Sequence, residues 1–125
     1  MNDVMYFEIQ ADNLDKLEKF YSSIFDWKFA KQDGLSIDYR RIETKGISGG
    51  LLPRPAPVPS GVSGTNAFVC SMEVEDFDKT AENILKHDGK IALEKFRVPG
   101  KCWQGYFVDP EGNTFGIFQV DESSS

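Results

Sequence analysis

Few residues of this 125-residue chain have the types and spacing that chemistry needs, and Glu8 leads them. In VMYFEIQA, residues 4 to 11, Met5, Phe7 and Ile9 alternate with Tyr6, Glu8 and Gln10, so a strand here turns Glu8 away from its packing face. Partial removal from water favours the neutral carboxyl, which suits a general acid or base with Tyr6 as hydrogen-bonding partner. The competing reading pairs Glu8 with an inward arginine, Arg40 or Arg41, and gives it only a bracing role. Strand phase does not choose between those two arginines. Ser48 and Ser71 have no base in any motif, Cys102 has no partner His, and Gly46, Gly49 and Gly50 are not followed by the Lys-Ser/Thr pair of a phosphate loop. Nucleophilic catalysis and nucleotide hydrolysis are therefore set aside. A transition-metal site needs about three or four donors. The single histidine, His87, falls at the end of a helix just before Gly89, where it is expected to be solvated. An all-carboxylate site is conceivable using Glu8 and Glu73, with few other acids supplied on that side by strand alternation.

The elements that must position these residues are legible as a repeat. After the first strand, Asp12 or Asn13 can cap a helix whose Leu14, Leu17, Phe20, Tyr21 and Ile24 form an apolar stripe against the Met5 face. Trp27 to Lys31, Tyr39 to Thr44 and Ile47 to Leu52 read as strands, with Asp33-Gly34 as a turn and Trp27 in the core. Residues 53 to 65, PRPAPVPSGVSGT, deny both ladder bonds and helix and read as a linker. The order then returns: Asn66 to Val74 as a strand, Asp76 as a cap, Phe77 to His87 as a helix stopped by Gly89, and Ile91 to Phe96 as a strand. A hairpin follows over Gln104 to Val120, turning through Asp109-Pro110-Glu111-Gly112 as type I. A shift of 63 superposes Leu14-Asp15-Lys16 on Phe77-Asp78-Lys79, and a shift of 66 superposes Gly46 and Gly50 on Gly112 and Gly116. Two copies of one unit follow from a period of this length. The expected fold is α+β: two βαβββ modules, 4–52 and 66–120, forming a curved eight-stranded mixed sheet, a cup with helices outside. A frayed tail is expected over 121–125.

The net charge of −6 and a pI near 4.7 oppose nucleic-acid partners, because phosphate backbones need clustered Lys and Arg. No run approaches the ~20 apolar residues of a membrane span, and Met1-Asn2-Asp3 does not open like a signal peptide, so the expected location is the cytoplasm. Cys70 and Cys102, each in an apolar strand-like setting, are expected to be reduced core thiols.

The order of elements, FYSSIFDW in the first helix and FVDPEGNTFGIF in the last hairpin together resemble the vicinal oxygen chelate superfamily. That group contains glyoxalase I, extradiol dioxygenases, fosfomycin-inactivating transferases and bleomycin-resistance proteins. The resemblance runs from about Val4 to Val120, and it implies a homodimer with modules paired within one chain or exchanged between chains. In the family's enzymes a metal is held by His, Gln or Glu on the first and fourth strands of each module. Those positions carry over to Tyr6 and on or next to Gly50, and to Val69 and Gly116, none of which is a usual ligand. The resemblance thus implies a member with no metal and no cofactor. Glycine at 50 and 116 leaves the middle of the cup wider and less polar, favouring an apolar or aromatic small molecule. Tyr6, Glu8, Gly50, Val69, Ser71, Trp103, Tyr106, Gly116 and Phe118 are the candidate ligand-binding residues, with Glu8 as the candidate catalytic one. The expected activity is binding without turnover, as in the family's bleomycin-resistance proteins. The alternatives are a metal-independent lyase, isomerase or hydrolase using Glu8, a metal-dependent enzyme with atypical ligands, and a module whose cup is filled by its own side chains.

Overall fold

The computed structural model describes residues 1, 3–54 and 68–123. Most of the expected linker, the first two residues of the expected second module and the last two serines lie outside the described residues. The chain divides into two compact units, Met1–Pro59 and Ser60–Ser125.

The first unit runs β1 (Tyr6–Ala11), α1 (Leu14–Ile24), β2 (Lys28–Lys31), β3 (Arg40–Glu43) and β4 (Ser48–Pro53). Its sheet has the order β1-β4-β3-β2, with β1 parallel to β4 and the other pairs antiparallel. Asn13 starts α1: its side chain accepts from the Lys16 N–H, satisfying one of the donors a helix start leaves free. Leu14, Leu17, Phe20 and Tyr21 are buried along the stripe, as are Ile42 and Leu51 beneath it. Each such side chain contributes roughly 1.5–3 kcal/mol by leaving water. Met5 does not join them. It precedes β1 and is 73% exposed, and Phe7, Ile9 and Ala11 carry the packing face instead. Trp27 is half-buried rather than core, stacked on Tyr21 at 5.4 Å and against Phe7 and Phe25 at 5.5 and 5.0 Å.

The second unit repeats that order: β5 (Ser71–Glu73), α2 (Phe77–Lys86), β6 (Lys90–Val98), β7 (Cys102–Val108) and β8 (Thr114–Val120). Its sheet, β5-β8-β7-β6, again has one parallel pair, β5 with β8. The α+β fold of two βαβββ modules is present, as two four-stranded mixed sheets and two helices. Asp76 caps α2 as Asn13 caps α1, accepting from the Lys79 N–H. The registers repeat as well: Glu8 opposes Gly50, and Ser71, 63 residues later, opposes Gly116, 66 residues later.

Four expectations for this unit are corrected. β5 is three residues long, because only Ser71–Glu73 pair with β8, and Phe68 stands fully exposed. The left-handed residue ending α2 is Asp88 (φ 72°), one step before Gly89, whose N–H closes the terminus on the Ile84 carbonyl at 2.9 Å. Cys70 is exposed and Cys102 half-buried; both are free thiols but neither is core. The tail is anchored as far as Ser123: Arg97 donates to Asp121 Oδ2 at 2.9 Å and to the Ser123 carbonyl at 2.7 Å, and Trp103 Nε1 donates to Asp121 Oδ2 at 3.2 Å.

The last hairpin turns through a three-residue loop whose glycine takes the left-handed conformation (φ 85° at Gly112), with the Gly112 N–H donating to the Asp109 carbonyl. Asp109, only 3% exposed, ties the loop. Its carboxylate accepts from the Glu111 N–H at 2.8 Å, the Asn113 N–H at 3.0 Å and the Asn113 side-chain amide at 3.0 Å.

Candidate functional site

Each sheet has one face under its helix and one face left open by it. In the first unit the open face carries the row Ala30, Arg41, Gly50, Glu8, one residue per strand in direct register. Arg40, one position over, faces α1, where it pairs with Asp15 at 2.7 Å, Asp38 at 2.9 Å and Glu18 at 3.3 Å. Its hydrogen bond to Asp38 raises its pKa above the usual arginine value and lowers that of Asp38. Arg41 is therefore the arginine on the Glu8 face, yet neither arginine makes an ion pair with Glu8 among the described residues.

The partner of Glu8 is Tyr39. Its hydroxyl donates to Glu8 Oε2 at 2.8 Å and lies 2.5 Å from the Tyr6 hydroxyl. Burial, followed by the hydrogen bonds it shares with Tyr6 and Glu8, pushes the Tyr39 phenol well above its ordinary value of 10.0. Tyr39 reaches Glu8 by crossing Gly50: a Cβ at position 50 would coincide with the Tyr39 hydroxyl and overlap its ring. The room left by Gly50 is thus filled by a phenol, and the expectation of a wider, less polar centre is corrected here.

The second unit repeats the device in neutral form. Its open face carries Ser71, Gly116, Tyr106 and Leu93 in one row and Glu73, Phe118, Gln104 and Phe96 in the next. Gln104 Nε2 crosses Gly116 to donate to Ser71 Oγ at 3.2 Å, so a Cβ at 116 would meet both groups. Gly116 is buried beneath them. Tyr106 stacks on Phe96 at 6.3 Å, with Phe118 half-buried nearby in the sheet and Val69 39% exposed just before β5.

Trp103 is not with Tyr106. Strand alternation puts it on the α2 face, where Lys95 and Arg97 lie 4.6 and 4.9 Å over its ring. It borders an open polar cleft of about 640 Å³ whose lining includes Glu75, Asp78, Lys79, Lys95 and Gln119, a poor match for an apolar guest. His87 is half-buried at the end of α2, where its Nδ1 lies 2.8 Å from the Asn83 carbonyl and so carries the proton.

The residues at the implied metal positions do not fit a divalent ion. In the first unit they are a phenol hydrogen-bonded to Tyr39 and a glycine covered by the Tyr39 ring. In the second they are a valine and a glycine covered by Ser71 and Gln104. Among the described residues no three His, Cys, Asp or Glu side chains gather as a metal would require.

The reading of the sequence missed Tyr39 and Gln104. Both stand two residues before the residue that opposes the glycine, Tyr39 before Arg41 and Gln104 before Tyr106. A shift of 65, from 39 to 104, would have paired them.

A family model described as the Glyoxalase/Bleomycin resistance protein/Dioxygenase superfamily matches residues 4–117. A glyoxylase-like domain-containing protein of Didymella fabae is 29% identical over 119 residues, 88% of each chain. Among solved structures, a glyoxalase/bleomycin resistance protein/dioxygenase family enzyme from Burkholderia phytofirmans PsJN superposes with a TM-score of 0.77 at 19% identity, covering 94% of this chain and 98% of that one. The E126Q mutant of the fosfomycin resistance protein FosX from Listeria monocytogenes, complexed with Mn(II) and 1S,2S-dihydroxypropylphosphonic acid, superposes at 0.74 with 15% identity, covering 94% and 89%. At these identities the structural likeness speaks for the fold. No helix among the described residues is long and apolar enough to cross a membrane.

Proposed function

Since this chain belongs to the Glyoxalase/Bleomycin resistance protein/Dioxygenase superfamily, we propose that it is a member that binds a small, partly apolar or aromatic molecule without a divalent metal. The observation that carries this reading is the Tyr39 hydroxyl, which fills the position over Gly50 and takes up one oxygen of Glu8. A metal entering there would have to displace a ring and break two hydrogen bonds while gaining one carboxylate. The exposed ring of Tyr6 and the stacked pair Tyr106 and Phe96 supply flat apolar surface on the open faces. The test is thermal unfolding with stoichiometric Zn²⁺, Ni²⁺, Fe²⁺ or Mn²⁺. The expected result is an unchanged Tm, and a rise of several degrees would overturn the metal-free reading. Native mass spectrometry of the same sample reads out the proposed homodimer and any retained ligand.

The hydrogen-bonded chain Tyr6, Tyr39, Glu8 also supports a second reading, a metal-independent lyase, isomerase or hydrolase in which Glu8 moves a proton. It requires Glu8→Gln to abolish turnover while leaving ligand affinity and Tm nearly unchanged.

A further inference from the structure

The direction of the hydrogen bonds in the first unit determines what the open end of that chain can recognise. A phenol has one proton to give, and an ionised carboxylate only accepts. Tyr39 spends its proton on Glu8 Oε2 at 2.8 Å. The 2.5 Å contact between the two hydroxyls is then a bond that Tyr6 donates and Tyr39 accepts. Both phenolic protons therefore point along the chain toward Glu8. What remains outward is lone pairs alone: those of Tyr6 Oη and of Glu8 Oε1, which accepts nothing among the described residues. Both side chains are exposed, Tyr6 at 40%, so a ligand reaches these acceptors without any rearrangement. A carboxylate or phosphate placed there would meet two sets of lone pairs with no proton between. Arg41 stands on the same face, two strands away, and makes no ion pair with Glu8 among the described residues.

Building on the small-molecule reading above, we propose that this face of the first unit recognises an ammonium or amidinium group carried on a flat apolar body. The cation donates to Glu8 Oε1 and Tyr6 Oη while the apolar body lies along the Tyr6 ring. A charge-assisted donor is favoured over a neutral one because its hydrogen bonds are roughly twice as strong.

The test is a backbone-amide NMR titration of the full chain with benzylamine and, separately, with benzoate, which share a ring and differ in the sign of charge. Benzylamine is expected to shift the amides of Tyr6, Glu8 and Gly50 at concentrations where benzoate leaves them in place. Glu8→Gln is expected to weaken benzylamine roughly tenfold or more, whereas Glu73→Gln in the second unit leaves it unchanged. Tyr39→Phe releases the Tyr6 proton and narrows the preference between the two probes. Benzoate binding at these amides as tightly as benzylamine, or benzylamine binding to Glu8→Gln as to the parent, overturns the inference and leaves the small-molecule reading standing. Binding of neither probe overturns both.

Discussion

The two units build the same bridge from different chemistry. In each, a side chain in the third strand of the unit or directly before it crosses a glycine in the fourth and hydrogen-bonds to the residue opposite that glycine in the first. In one unit the bridge is Tyr39 over Gly50 to Glu8; in the other it is Gln104 over Gly116 to Ser71. The geometry was kept through the repeat while the charge was not. A phenol on a carboxylate makes a polarised, charge-assisted bond, whereas an amide on a hydroxyl makes a neutral one of about half the strength. What differs between the units is therefore the charge of the bridge, which ends on a carboxylate in the first unit and on a hydroxyl in the second.

The largest expected break in this comparison comes from refilling the glycines. Gly50→Ala drives a methyl into the Tyr39 ring and is expected to cost about 2–3 kcal/mol in urea unfolding. Gly116→Ala meets a serine hydroxyl that can rotate away and the end of a glutamine, so it should cost about 1 kcal/mol or less. Equal costs would mean the two bridges are equally rigid. Removing the bridging proton is milder: Tyr39→Phe should lower stability by about 1 kcal/mol, since it leaves Glu8 and Tyr6 without their shared partner.

A third contrast lies at the helix ends. Phe25 leaves α1 in an extended conformation, while α2 ends on left-handed Asp88, where a side chain is strained and a negative charge opposes the helix dipole. Asp88→Gly is expected to stabilise by about 0.5–1 kcal/mol, read as a Tm increase of a few degrees. The smallest effects are those of pH. Because folding raises the Tyr39 pKa, the stability this contributes is complete below pH 10 and is lost as pH rises through the folded value. An absorbance titration should show one of the four tyrosines resisting ionisation after the others have lost their protons. Asp121 shifts the other way: hydrogen bonds from Arg97 and Ser123 hold its carboxyl well below the usual value of 3.8. Its contribution is present above that value and fades in stronger acid, where amide exchange at Ser123 should accelerate.

Much of this was legible in the sequence because it rests on local signals. Asn13 and Asp76 stand directly before amphipathic periods, and Gly50 and Gly116 emerge from one shift of the chain. Tyr39 was not legible, because its role depends on which residue of β3 opposes Gly50, and that register is set by tertiary pairing. The same pairing decides between Arg40 and Arg41. Trp103 was misplaced for a simpler reason: three positions from Tyr106 is an odd number, and a strand sends such residues to opposite faces. β5 is short because apolar composition marks a segment as able to pair without showing how much partner strand is available.

The loop that Asp109 ties has a kinetic meaning. β7 and β8 are joined by a turn that closes within a few residues, whereas the parallel contact of β1 with β4 must first gather some forty residues of intervening chain. Local closure costs less entropy and happens sooner. The amides of β7 and β8 should therefore gain protection before those of the parallel pairs β1–β4 and β5–β8, and pulse-labelling during refolding should record that sequence of events.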